Sequence, residues 1–174
     1  MAIAEIFTSA VHEIASQDYS REQCLAWSDP EPNHEHWKKR CELKRPFVAI
    51  TDSEISGFLE LDPDGHIDCA YIHPKFKRRG IMTGLVEHAI RTCLALNINR
   101  VYVDASICAK PLFEKLGFSV IRENLVDIKG VKLLNYKMEF LKKAAEQDRP
   151  PCLAFPGGAL QVDAQPSCPG DSAL

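Results

Sequence analysis

The sequence predicts a mixed α/β domain, with helices flanking a mostly antiparallel central sheet. Three observations predict it: an apolar stripe at helical spacing near the start, three short β-prone runs in succession between positions 47 and 72, and a long helical pattern followed by strand, helix, strand and strand. With 174 residues, 45% of them apolar and 26% charged, the chain has the material for one core of ordinary globular composition.

Each element follows from its own pattern. Ile3, Ile6, Phe7, Ala10, Val11 and Ile14 recur at the spacing of one helix face. Ser20-Arg21-Glu22-Gln23 has the S-x-x-Q form of a capping box, so a second, short helix carries Cys24, Leu25 and Trp27 until Pro30 and Pro32 stop it. A third, after Asn33, carries Trp37 and Cys41. Phe47 to Thr51, Ile55 to Leu61 and His66 to Ile72 read as three sequential antiparallel strands, separated by Asp52-Ser53-Glu54 and Asp62-Pro63-Asp64-Gly65. From Gly80 to about Leu96, two adjacent i+4 rows make a broad apolar face: Ile81, Leu85, Ala89 and Cys93, then Met82, Val86, Ile90 and Leu94. Arg100 to Ala105 reads as a strand and Ala109 to Leu116 as a helix, with Pro111 in its first turn and Gly117 as its stop. Strands 118–128 and 131–140 close the pattern around a turn at Lys129-Gly130. Residues 1–146 are expected to form this domain; beyond 147 periodicity vanishes and Pro and Gly accumulate, which predicts a disordered tail.

Composition also bounds the function. No run approaches the roughly 18 apolar residues of a membrane helix and the first residues lack a secretory signal, so a cytoplasmic protein with no membrane partner is expected. Seven cysteines without a C-x-x-C pattern read as reduced thiols rather than disulfides or a zinc site. A formal net charge of -3 argues against nucleic acid as a partner. Positive charge is instead local, at Lys75, Lys77, Arg78 and Arg79.

That local charge sits in the most informative stretch, Ile72-His73-Pro74-Lys75-Phe76-Lys77-Arg78-Arg79-Gly80-Ile81-Met82-Thr83-Gly84, a strand, a basic turn, a glycine and a long helix. First-turn N–H groups of a helix have no intrahelical acceptor and lie at the positive end of the macrodipole, so the stretch can cradle an anion such as a phosphate. It is neither a Walker A loop, lacking G-K-(S/T), nor the dinucleotide fingerprint, lacking a first G-x-G.

Lys77-Arg78-Arg79-Gly80-Ile81-Met82 resembles the (Q/R)-x-x-G-x-(G/A) hallmark of the GNAT superfamily of acyl-CoA-dependent N-acetyltransferases, with Lys at its first position and Met82 at its last. A second family element, N-x-x-A-x-x-L-Y-x-K-x-G-F, is matched by Ser106 through Phe118, with Ser at the Asn position and Phe113 at the Tyr position. The likeness spans roughly residues 2–141. It implies a sheet splayed between the family's strands 4 and 5, with acetyl-CoA as cosubstrate. The cosubstrate contacts it implies are Ile72, His73, Lys77, Arg78, Arg79, Gly80, Ile81, Met82, Thr83, Gly84, Ser106 and Phe113: amides of Arg79 to Gly84 on the pyrophosphate, the Ile72 backbone pairing with the pantetheine arm, and Ser106 near the sulfur. The family's first strand has no match, because residue 2 already lies in helical pattern. The sheet edge so exposed could be covered by a second copy in a homodimer.

The reaction implied is acetyl transfer to a primary amine by direct attack, which needs a proton acceptor, an oxyanion donor and a departing thiolate. Ile72 N–H is the expected oxyanion donor. Glu60, His66 and Asp68 are the candidate bases, with His66 and Asp68 on one strand face and a water relay allowed. Phe113 cannot protonate the thiolate as a tyrosine would, but a thiol of pKa roughly 8.5 is already a fair leaving group. The acceptor pocket is sought at Trp27, Asp29, Glu31, Glu35 and Trp37, where carboxylates and aromatics would suit an amine. His34-x-His36 reads as surface histidines rather than a metal site, Lys38-Lys39-Arg40 with Lys44 and Arg45 as a solvated helix face, and Cys108 as a core thiol rather than an acyl carrier. Two other readings stay open: a non-catalytic acyl-CoA-binding sensor or scaffold, and a nucleotide-phosphate binder using the same helix terminus.

Overall fold

In the computed structural model, which describes residues 2–142, six strands form one sheet in the order β1-β2-β3-β4-β6-β5. The strands are β1 (Phe47–Thr51), β2 (Glu54–Leu61), β3 (His66–Ile72), β4 (Arg100–Ser106), β5 (Ser119–Ile128) and β6 (Val131–Leu141). The helices are α1 (Ala2–Ser9), α2 (Arg21–Trp27), α3 (His34–Lys44), α4 (Ile81–Ala95) and α5 (Lys110–Lys115). Among the described residues no strand precedes α1. The Pro/Gly-rich stretch expected as a disordered tail lies outside the described residues.

The local signals act as the sequence predicts. Ser20 and Gln23 exchange both hydrogen bonds of the capping box at α2. Asn33 Oδ1 accepts from His36 N–H at 2.9 Å and starts α3; Arg45, in the left-handed region with φ 46°, ends it just before Pro46. The first helix departs from expectation. Its stripe does not run as one α-helix: Ala10–Ile14 widens into a π turn and Ala15–Gln17 tightens into a 3-10 turn. The re-phasing has a packing reason. Ile3, Ala4 and Ile6 enter one apolar cluster with Trp37 and Phe58, whereas Val11 and Ala15 enter another with Tyr19, Cys24 and Leu133.

The sheet has two covered faces. On one, α4 and α5 lie over Leu59, Ile67, Val101, Val103, Ala105 and Met138; Leu85, Ala89 and Cys93 are fully buried there, and of the second row of α4 Val86 is fully buried while Met82, Ile90 and Leu94 are partly so. On the other lie α1, α2 and α3.

One junction in the sheet is unlike the rest. Every neighbouring pair is antiparallel except β3 with β4, which run parallel and pair only at His66–Tyr102 and Ile67–Val103 before diverging. Tyr102 N–H donates to Gly65 C=O at 3.0 Å, close to the root of the divergence.

Leu85 sits at the centre of the larger cluster, so Leu85→Ala should cost about 3 kcal/mol of stability. The shift of the urea midpoint at constant m-value measures it.

Candidate active site

Where β3 leaves β4, backbone groups lose their ladder partners. His73 N–H donates to Ser56 C=O at 2.9 Å, toward β2. Successive residues of a strand alternate, so the N–H groups of Ile72 and Ala70 point the other way, into the gap. Ile72, an expected contact, thus presents an unpaired N–H to the gap. Ala70, which the sequence did not single out, does the same.

The gap runs toward the N-terminus of α4. Gly80 caps that helix at φ 75° without any side-chain hydrogen bond, and the first intrahelical bond is Gly84 N–H to Gly80 C=O at 3.1 Å. The N–H groups of Ile81, Met82 and Thr83 therefore have no intrahelical acceptor. Arg78 is also left-handed, at φ 62°. The four basic side chains divide. Lys75 pairs with Glu54 at 2.8 Å and Arg79 with Asp52 at 3.5 Å, tying the turn to the β1–β2 turn. Lys77 and Arg78, exposed, have no ion pair among the described residues. His73 Nδ1 accepts from Lys75 N–H at 3.1 Å and shapes the turn.

On the far wall, Ser106 Oγ lies 3.2 Å from Cys108 Sγ. Opposite Ser106 in the β4–β6 ladder stands Asn135, whose buried Oδ1 has no hydrogen-bond partner among the described residues. A buried acceptor without a donor is costly in a folded protein. It fits a ligand that brings an amide N–H, as a pantetheine arm does. Phe113 is 1% exposed and packs edge-on against Phe118 at 5.0 Å in the main core.

The candidate bases come together on the α3 side of β3, but differently from expectation. The β2–β3 register shifts between Glu60 and Leu61, so that Glu60 pairs with Cys69 and Leu61 with Ile67. Asp68 is the extra residue of a bulge. Arg40 clamps Glu60 from α3, with Nε at 2.9 and 3.0 Å and Nη2 at 2.6 Å from its carboxylate oxygens. Glu60 is fully buried and both its oxygens are engaged, so it is an ion-pair partner rather than the base expected. Arg40 Nη2 also reaches Asp68 at 2.7 Å, and Lys44 bridges Asp68 at 3.0 Å and Asp62 at 2.6 Å. His66 lies at the still-paired end of the strands, stacked on Tyr102 at 4.8 Å and 3.3 Å from Asp62.

Burial raises the Asp68 carboxyl, yet the Lys44 hydrogen bond and the charges of Arg40 and Lys44 outweigh it and hold it below its ordinary value. The expectation of a solvated basic face thus fails for Arg40 and Lys44. A charge run carries no sign of which members turn inward, and only the sheet beneath decides it.

Beside this network opens a cavity of about 400 Å³. Asp68, Cys69 and Arg40 line it on the β3 side, Phe7, Trp27, Trp37 and Tyr71 supply aromatic surface, and Asp29, Glu31 and Lys129 lie on its outer wall. His36 joins the lining, whereas Glu35 pairs with Lys39 at 3.1 Å outside it. Tyr71, unmarked in the sequence, has its phenol pushed well up by burial and so stays protonated.

A donor substrate that is anionic at one end and strand-like along its length uses both the α4 terminus and the gap, which places the protein among acyl-CoA-dependent acyltransferases. The acetyltransferase (GNAT) domain model matches residues 15–140. The chain is 32% identical over 138 residues to the N-acetyltransferase YafP of Escherichia coli, covering 79% of this chain and 87% of that protein. A GCN5-related N-acetyltransferase structure from Rhodopseudomonas palustris superposes with a TM-score of 0.76 at 28% identity, over 81% of this chain and 88% of that one. The fold is shared also with a phosphinothricin acetyltransferase of Sinorhizobium meliloti solved with AcCoA, at TM-score 0.63 and 17% identity over 86% of each chain. The chain belongs to the GNAT acetyltransferase family.

Two outcomes follow from the ion network. Arg40→Ala leaves Glu60 buried and uncompensated and should cost about 3–5 kcal/mol, most of it recovered in Arg40→Met/Glu60→Leu; denaturant titration compares the two. Asp68, whose folded pKa is depressed, contributes stability that is present above the unfolded value of about 3.9 and lost as pH falls through the folded one. Asp68→Asn should therefore lose less stability than the parent between pH 7 and about 3, read from urea midpoints at each pH.

Proposed function

We propose that the protein transfers the acetyl group of acetyl-CoA to a primary amine by direct attack. The observation that carries this reading is the unpaired edge of β3 at Ala70 and Ile72, which adjoins both the free helix terminus of α4 and, through Asp68 and Cys69, the aromatic cavity. In this reading the pyrophosphate lies on the N–H groups of Ile81, Met82 and Thr83, with Lys77 and Arg78 adding charge. The arm pairs with Ala70 and Ile72 as an added strand would, and Ser106 and Asn135 Oδ1 face it from β4 and β6 respectively.

The amine enters from the cavity as the neutral nucleophile. Its nitrogen forms a bond to the thioester carbonyl carbon, Ile72 N–H donates to the oxygen that gains charge, and the carbon–sulfur bond breaks to expel the thiolate. Of the three carboxylate and imidazole candidates, Asp68 is the one on the cavity wall. A depressed carboxyl is a weak base, so Asp68 orients the amine and hands its proton to water, and His66 stands behind Asp62 in the same network. The thiolate takes its proton from solvent, which its ordinary pKa of roughly 8.5 permits. Phe113, in the core, takes no part.

Gly80→Glu puts a carboxylate and a strained left-handed residue where the phosphates would lie. Calorimetric titration should give 1:1 acetyl-CoA binding to the parent and none to Gly80→Glu with an unchanged circular dichroism spectrum. Binding retained in the variant would overturn the placement of the phosphates.

A further inference from the structure

The acceptor is readable from the charges and surfaces of the cavity. Its inner wall holds no unpaired carboxylate: Asp68 lies against Arg40 and Lys44 in direct ion pairs, and behind it Glu60 is held by Arg40 and Asp62 by Lys44. Such a wall does not hold an ammonium in its protonated form, as an isolated carboxylate would, and leaves the nitrogen free to react.

The middle of the cavity is aromatic. Phe7 contacts Trp37 at 4.9 Å and Tyr71 edge-on at 5.0 Å, and Trp27 packs edge-on against Tyr19 at 5.3 Å. One face of Trp37 already carries the Arg40 guanidinium, 5.6 Å from the ring centroid. The surface left over is that of Phe7, Trp27 and Tyr71, and it matches a flat apolar body rather than a chain of charges.

The outer wall is negative. Asp29 is matched by Lys129 at 3.5 Å, whereas Glu31, exposed, has no ion pair among the described residues. One surplus carboxylate at the entrance attracts a cationic amine from solution and repels a substrate that carries its own carboxylate. A volume of about 400 Å³ is at the lower end of small-molecule sites, which run roughly from 300 to 1,000 Å³.

We propose, resting on the acetyl-transfer reading above, that the acceptor is a small arylalkylamine without a carboxylate, its ring between Trp27, Phe7 and Tyr71 and its amine beside Asp68. A polyamine would need several unpaired carboxylates along the cavity, and this cavity has one.

The full-length protein is assayed with acetyl-CoA for thiol release with phenethylamine, spermidine, Nα-acetyl-lysine, phenylalanine and phenylalaninamide. The kcat/KM for phenethylamine should exceed that for spermidine, Nα-acetyl-lysine and phenylalanine by at least tenfold. Phenylalaninamide should exceed phenylalanine, from which it differs only at the carboxylate. Glu31→Lys, on the exposed entrance, should narrow that last preference at least fivefold. Trp27→Ala should raise the KM for phenethylamine at least tenfold with an unchanged acetyl-CoA Kd. Spermidine or Nα-acetyl-lysine as the best acceptor, or an amide-over-acid preference unmoved in Glu31→Lys, overturns the proposed acceptor while leaving acetyl transfer standing. Failure of the parent to bind acetyl-CoA overturns both.

Discussion

A parallel pair of strands that has begun to form its ladder ordinarily continues it, because each unpaired backbone N–H or C=O shielded from water is costly. Here β3 and β4 stop after two pairs. The divergence is held from both outer sides: β2 pairs with β3 as far as Ile72, and β6 pairs with β4 as far as Ser106. Neither strand can turn to meet the other without breaking a longer ladder. The gap is therefore a fixed feature of the sheet, and its backbone groups are oriented before any ligand arrives. That is the form of preorganisation that an oxyanion donor requires.

The bulge at Asp68 gives the divergence its chemistry. Without the extra residue, strict alternation would turn Asp68 and Cys69 to opposite faces; the bulge lets Asp68 meet Arg40 and Lys44 while Cys69 keeps its pairing with Glu60. Arg40 thereby ties α3 to two strands at once, through the fully buried Glu60 and the exposed Asp68. Burial lowers the Arg40 guanidinium, the Glu60 hydrogen bonds together with the neighbouring negative charges outweigh it, and the group stays charged. Removing either partner strands the other, so the element that forms one wall of the cavity is fixed by the same ions that line it.

The sequence and the structure agree where periodicity is strong and local. The i+4 rows of α4, the capping box at Ser20 and the turn at Lys129-Gly130 need only neighbours along the chain, and these elements fall within a residue or two of expectation. The glycine-capped start of α4 was legible for the same reason, since a glycine and a helix start are local signals. What was not legible depends on contacts far apart in the chain. Whether Arg40 faces solvent or Glu60 is decided across 20 residues, and whether Asn135 finds a donor is decided by its neighbour Ser106 on another strand. The π turn at Ala10–Ile14 belongs here as well: the apolar stripe is continuous in sequence, but it serves two clusters whose directions differ.

Acetyl transfer to an amine sets two demands that oppose each other in a protein. The acceptor must be gathered from water, where it is a cation, and must react as a neutral base. A single acidic pocket meets the first demand and works against the second, because a carboxylate next to the nitrogen raises its pKa. The cavity separates the two in space. Its net negative group, Glu31, lies at the entrance, and the carboxylate nearest the gap, Asp68, is matched by Arg40 and Lys44. In the proposed reaction an amine moving inward leaves the unpaired carboxylate and meets carboxylates that are each held in an ion pair, with water as the proton's exit. In the proposed reaction the ions that fasten α3 to the sheet also bear on the protonation state in which the nucleophile meets the gap, and Phe113, which cannot donate a proton, leaves the work of the side chains on the nitrogen rather than on the sulfur.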